Sequence, residues 1–286
     1  MLQRKIMNKM MMLSAAICSV IACDLHGQEL QQSIEFDNIN SIHLITSSFD
    51  ITTIGYDGEK VEAEFYYNDR YYIVDHETRG SQLSIKTKKR TSFSFFNDRN
   101  AKIILKVPFS TQLDISTTSG NIEILNSDAI NRLHSTSGTV NIRSGSGDKE
   151  IDITSGSIHV EEIKGNLKID ATSGSIWIEK VEGNLSIDAT SGKTNINEIK
   201  GSLKINKISG RIAGEKISIE GSADITTTSG NISIDFINPV EDLNLTIKTT
   251  SGEVRLGEMR LSGDLKTGSG KIPVRFSTTS GNIEID

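Results

Sequence analysis

The sequence predicts an all-β protein, a β-solenoid built as a stack of 18-residue coils, with an N-terminal β cap region. The first observation is an 18-residue sequence repeat whose copies align without insertion. Three copies start at Ile151, Ile169 and Ile187 and read IDITSGSIHVEEIKGNLK, IDATSGSIWIEKVEGNLS and IDATSGKTNINEIKGSLK. Self-similarity at a fixed period of about this length is typical of solenoids. The second observation is a Ser-Gly pair in every repeat, with another glycine half a period later.

Apolar and polar residues alternate strictly inside each repeat. Ile158 and Val160 are apolar, whereas the flanking Ser157 and Glu161 are polar. This period of two predicts strands with one buried face. The glycines mark the turns, since glycine adopts positive φ without steric cost. Each coil should therefore hold two strand segments, and residues one repeat apart should stack, as Ile158 on Ile176.

Three acidic residues share one position in successive repeats: Asp152, Asp170 and Asp188. Stacked carboxylates about 5 Å apart are weak candidates for a calcium site. The favoured interpretation is that these side chains bond to the following Thr-Ser-Gly turn. No metal site and no cofactor are therefore expected.

Residues 1–23 resemble a secretory signal peptide, because a basic stretch precedes an apolar run too short for a permanent membrane span. The run ends at Val20-Ile21-Ala22-Cys23, which resembles a bacterial lipobox and predicts lipidation of Cys23. The alternative is ordinary cleavage near Ala22 or Gly27, which would give a soluble periplasmic or secreted protein. Both alternatives predict export to the cell envelope. Lipidation of Cys23 also predicts a lipid anchor to a membrane.

The rest of the chain divides by composition into a tether at 24–40, a cap region at 41–112 and solenoid repeats at 113–286. The cap region holds Tyr66, Tyr67, Tyr71 and Tyr72 on either side of a polar turn. Alternation predicts that one tyrosine of each pair faces outward, where amphipathic rings suit sugars and protein interfaces. The alternative is that all four cover the open edge of the first coil.

A T-S-G-x-I signature follows the segment LKVP at 105–108 and returns along the chain, at 118–122, 172–176, 228–232 and 279–283. In this order of features the sequence resembles a bacterial cell-envelope family of unknown function whose members are described as putative adhesins. The resemblance covers about residues 40–286. It implies a β-solenoid and an envelope location, and it supplies no catalytic motif.

The remaining patterns favour a non-catalytic surface-binding or structural protein over an enzyme. The net charge of −6 provides no basic surface for nucleic acid. The sequence contains no H-E-x-x-H or G-x-S-x-G motif and no phosphate-binding glycine loop. A carbohydrate-active β-helix enzyme and an envelope-stress scaffold or sensor are the alternatives. A surface glycan or an envelope protein is the expected partner, and an open C-terminal solenoid end would permit oligomers.

Overall fold

The computed structural model describes residues 30–90 and 101–286, which contain strands and one 3-10 helix but no α-helix. The predicted all-β solenoid class is confirmed. The strands before the repeats are β1 (Leu30–Phe36), β2 (Ser41–Thr46), β3 (Asp50–Tyr56), β4 (Val61–Tyr66), β5 (Tyr72–Arg79), β6 (Gln82–Lys89) and β7 (Lys102–Pro108).

The long repeat strands form the centre of the stack, and shorter strands follow them. The first group is β8 (Gln112–Thr117), β9 (Ile122–Leu125), β10 (Asn131–Ser146), β11 (Lys149–Lys164), β12 (Leu167–Glu182), β13 (Leu185–Ala189), β14 (Lys193–Ser209) and β15 (Arg211–Ser229). The second group is β16 (Ile232–Phe236), β17 (Leu243–Ser251), β18 (Glu253–Leu256), β19 (Met259–Ser262), β20 (Leu265–Thr267), β21 (Ile272–Ser280) and β22 (Ile283–Ile285), with the 3-10 helix at Val240–Asp242.

Neighbouring repeats pair in parallel at an offset of one repeat. Ile151 on β11 lies opposite Ile169 on β12, and Ile158 lies opposite Ile176, as the sequence predicts. The chain therefore completes one turn of the solenoid in each repeat. The segment before the Ser-Gly corner lies on what we call the first face, and the segment after it on the second face.

The Ser-Gly corner brings successive coils into backbone contact. Gly174 has φ +131°, and a Cβ atom there would lie 1.8 Å from the carbonyl oxygen of Gly156. Only glycine fits both the dihedral angle and the close approach. At the opposite corner a non-glycine residue takes left-handed φ in five consecutive coils, at Ser144, Glu162, Lys180, Glu198 and Lys216.

At the N-terminal end, the order of the strands in the stack differs from their order along the chain. Strand β2 pairs in parallel with β6 on one side and β8 on the other, and β3 lies likewise between β7 and β9. Antiparallel strands then close the stack, with β5 on β6, β4 on β7 and β1 on β4. Residues 41–112 thus contribute two coils of the stack as well as closing strands. Residues 30–36, expected in a tether, form β1.

The C-terminal end repeats this arrangement, and the expectation of an open end is wrong. Strand β21 lies between β15 and β17, and β22 lies between β16 and β18, so the last strands are inserted between two earlier coils. Outside them, β20 pairs antiparallel with β17, and β19 with β18. The prediction of oligomers was based on an unpaired terminal coil, and this end has none. Oligomerisation through this end therefore stays a prediction without that basis.

The interior is one apolar cluster that extends from residue 39 to 285. Lys149 is an exception, since its side chain is only 2% exposed. Its Nζ donates hydrogen bonds to the carbonyl oxygens of Ala129 at 2.7 Å and Ser127 at 3.2 Å. Desolvation lowers the pKa of Lys149 to about 8, and it does the same to the pKa of buried Lys207.

Candidate functional site

The outer surface of the second face carries Trp177, the single tryptophan of the chain, with 40% of its surface exposed. Its indole stacks on the imidazole of His159, with ring centroids 4.7 Å apart and ring planes 8° apart. The parallel register places these residues opposite each other on β12 and β11. Because the ring separation matches the spacing of neighbouring strands, one face of the indole is covered by His159 and the other is directed toward the next coil.

Side chains become shorter on that uncovered side. Asn195 stands opposite Trp177 on the next coil, and Ala213 stands opposite Asn195 on the one after. Both side chains are shorter than the indole, so the outer part of the ring extends beyond them. A groove with a volume of about 520 Å³ runs along this face from Asn141 to Ala213, and its lining includes Trp177, Asn195, Asn197 and neighbouring polar residues.

Polar side chains flank this groove, which we call the Trp177 groove, on both sides. Glu179 and Glu215 lie in the column two residues after Trp177 and Ala213, and both are exposed. Two cations, Lys193 and Arg211, are exposed in the column on the other side of Asn195 and Ala213. At the far end Arg143 pairs with Glu161 at 3.7 Å.

Sequence reasoning did not identify this site. Neither His159 nor Trp177 belongs to a recognisable binding or catalytic motif of the sequence. A signal was available, because positions 159 and 177 are one repeat apart and so occupy one column of the stack. Two rings in one outward column, followed by asparagine and alanine, predict a stacked pair beside a gap.

The four tyrosines of the cap region pack against the core. Tyr72 is 2% exposed, and its ring centroid lies 4.9 Å from that of Phe49; Tyr66 is also buried. Tyr67 and Tyr71, the more exposed member of each pair, are half-buried against the core, and the Tyr67 ring centroid lies 6.1 Å from that of Phe49. These contacts fit the covering role, and a ligand-binding role for the cluster stays a prediction.

The aspartate column on the first face has side-chain partners. His134 Nδ1 lies 3.2 Å from a carboxylate oxygen of Asp152, and Lys168 Nζ lies 3.1 Å from one of Asp170. Asn206 Nδ2 donates a hydrogen bond of 2.7 Å to Asp188. Within 30–90 and 101–286, no group of three or more His, Cys, Asp or Glu side chains is arranged to hold a metal ion. The carboxylates therefore connect side chains of the first face.

A second groove, of about 840 Å³, follows the corner that carries the left-handed residues. Lys180 Nζ lies 3.3 Å from Glu162 Oε1, and Lys216 Nζ lies 2.8 Å from Glu198 Oε1. A hydrogen bond from the Ser144 hydroxyl, together with Lys180, holds the pKa of Glu162 below its usual range. Charges of opposite sign alternate along this groove, so it presents no field of a single sign.

The predicted signal peptide and its predicted lipidation site, Cys23, lie before residue 30 and so outside the residues that the structure describes. Among the described residues, none belongs to a helix with the length and apolar character needed to span a membrane.

Several solved structures resemble this chain at low sequence identity. A putative adhesin from Bacteroides fragilis NCTC 9343 is 12% identical, with 90% of this chain and 98% of that chain covered and a TM-score of 0.45. A putative adhesin from Parabacteroides distasonis ATCC 8503 is 13% identical, with coverages of 90% and 98% and a TM-score of 0.36. A protein from the same strain, named a putative lipid binding protein, is 18% identical, with coverages of 89% and 93% and a TM-score of 0.33.

Curated proteins provide no match to this sequence. The Toastrack DUF4097 family, whose designation states no activity, matches residues 39–286, which is most of the chain. The resemblance to a family of unknown function with putative adhesins among its relatives is thereby confirmed. This chain belongs to the Toastrack DUF4097 family.

Proposed function

We propose that this chain is a non-catalytic binding protein of the cell envelope, of the adhesin type, and that its ligand surface is the second face of the solenoid. The observation that carries the proposal is Trp177, exposed on an otherwise polar face and held in one orientation by His159. Large aromatic side chains are usually buried in cores. An aromatic ring fixed beside a groove with polar groups around it is typical of a binding site.

The closed ends of the stack support the same role. Antiparallel strands cover both ends, so neither end presents a parallel edge to which a further coil could add. The lateral faces are then the large surfaces left for contact with other molecules. Lipidation at Cys23, which we propose from the lipobox-like sequence, would hold these faces at a membrane surface.

Adhesion by whole cells tests the proposal. One strain displays the full-length protein, a second displays the Ala213→Phe variant, and a third carries an empty vector. We expect more cells of the first strain than of the third to remain on a mucin-coated surface under flow. The second strain should resemble the third, because a phenyl ring at position 213 would obstruct the Trp177 groove. Antibody labelling of intact cells verifies equal display.

Two results would contradict the proposal. Equal retention of the first and third strains, with display verified, would remove the adhesin role. Release of reducing ends from a polysaccharide by the purified protein would show catalysis and favour the carbohydrate-active alternative. A variant with Tyr67→Ser and Tyr71→Ser, studied in the same flow assay, separates the tyrosine cluster from the second face.

A further inference from the structure

The uncovered face of Trp177 has the geometry of a stacking platform. His159 covers one side of the indole at 4.7 Å, which fixes the plane of the ring. On the other side the shorter Asn195 and Ala213 leave the ring open to a groove of about 520 Å³ that runs across five coils, from Asn141 to Ala213. Ligand sites usually occupy about 300–1,000 Å³, so the space suits a small organic molecule or a short oligomer. A flat, apolar surface with a fixed orientation favours a ligand that also has a flat, weakly polar face.

The flanking side chains distinguish among such ligands. Carboxylates of Glu179 and Glu215 line the groove, and the cations of Lys193 and Arg211 lie in the column on the other side of Asn195 and Ala213. Quaternary ammonium groups are typically recognised by a cage of several aromatic rings, whereas this groove offers one open aromatic face. It offers hydrogen-bond donors and acceptors together, and a neutral ligand with many hydroxyl groups uses both.

We infer that the Trp177 groove binds a saccharide, with one sugar ring stacked on the uncovered face of the indole and its hydroxyl groups bonded to Asn195 and the flanking charges. Sugar rings have apolar C–H faces and polar rims, which match an aromatic plane with polar neighbours. This inference rests on the proposed binding function and names the class of ligand at the same site.

Intrinsic fluorescence tests the inference directly, because Trp177 is the single tryptophan of the chain. The full-length protein is titrated with glucose, galactose, mannose, N-acetylglucosamine and the β1,4-linked trimer of N-acetylglucosamine. We expect a saturable change in emission with at least one of these sugars and none with choline chloride. By calorimetry, Trp177→Ala should weaken that binding by roughly 5- to 150-fold, since stacking of a ring on one aromatic side chain is worth about 1–3 kcal/mol.

A pair of variants controls for general effects of an added ring. Ala213→Phe places a phenyl ring inside the groove and should abolish the fluorescence response. Lys204→Phe adds the same phenyl group to an exposed position on the first face and should leave the response unchanged. Thermal unfolding of both variants checks that they remain folded.

Three outcomes would overturn the inference. They are the absence of a saturable response to every sugar tested, a response to choline chloride in place of the sugars, and sugar binding that survives both Trp177→Ala and Ala213→Phe. If cells still adhere through the second face in the flow assay while no sugar binds, the proposed function stands and the ligand class is wrong. If neither is observed, both are wrong.

Discussion

Replacing Gly174 by alanine should lower the free energy of unfolding by roughly 2–5 kcal/mol, the sum of a packing cost and a backbone cost. The new Cβ would lie 1.8 Å from the carbonyl oxygen of Gly156, so two adjacent coils must separate at their closest point. Overpacking of this kind costs about 1–3 kcal/mol. The dihedral angle φ of +131° adds strain for any residue with a Cβ, on the order of 1–2 kcal/mol.

Two control variants separate these contributions. Gly80 also has positive φ, at +60°, but a Cβ there would meet no atom within 4 Å. Gly80→Ala should therefore cost only the backbone strain, about 1 kcal/mol. Ser175→Val, one residue after Gly174 and directed outward, should change stability by less than about 0.5 kcal/mol.

The assay is equilibrium unfolding in guanidinium chloride, followed by far-ultraviolet circular dichroism, with the midpoints of all three variants compared. Equal losses at positions 80 and 174 would show that close approach of the coils contributes nothing. Full tolerance of Gly174→Ala would refute both parts of the reasoning and the position of the corner.

Three further predictions follow from buried or untested positions. Burial lowers the pKa of Lys149 to about 8, so the unfolded chain binds more protons than the folded chain between pH 8 and about 10.5. The stability of the wild type relative to Lys149→Met should therefore rise with pH across this window, by roughly 3 kcal/mol at most. Phe276→Ala, in the inserted strand β21 where the side chain is fully buried, should cost about 3–5 kcal/mol in denaturant unfolding. Cys23→Ala should abolish partition into detergent and leave the leader uncleaved, as measured by mass spectrometry.

Each of these three predictions has a result that would contradict it. A stability difference for Lys149→Met that is flat with pH would mean that the amine titrates normally in the folded protein. If Phe276→Ala unfolds like the wild type, the last strands do not lie between two coils. A mature N-terminus after Gly27 would replace lipidation with ordinary cleavage.

The central coils were predictable from the sequence because each pairing contact repeats at one fixed offset. Ile178, Val181, Leu185 and Ile187 are all buried, as the alternation requires. Period and alternation are local properties, and a parallel stack converts them directly into register. Positive φ at Gly174 was predictable for the same reason, since the turn recurs at the same place in every repeat.

The tertiary structure alone decided the order of coils at the ends and the position of the Trp177 groove. Once the regular repeat spacing is lost, a segment such as β21 has the same alternating pattern as its neighbours, and the pattern does not state between which coils it lies. That choice depends on contacts distant in sequence, such as those of β21 with β15 and β17. Likewise, Trp177 forms a platform only because Asn195 and Ala213 are short and His159 lies behind the ring. A binding surface depends on the side chains of several coils at once, whereas a strand depends mainly on its own residues.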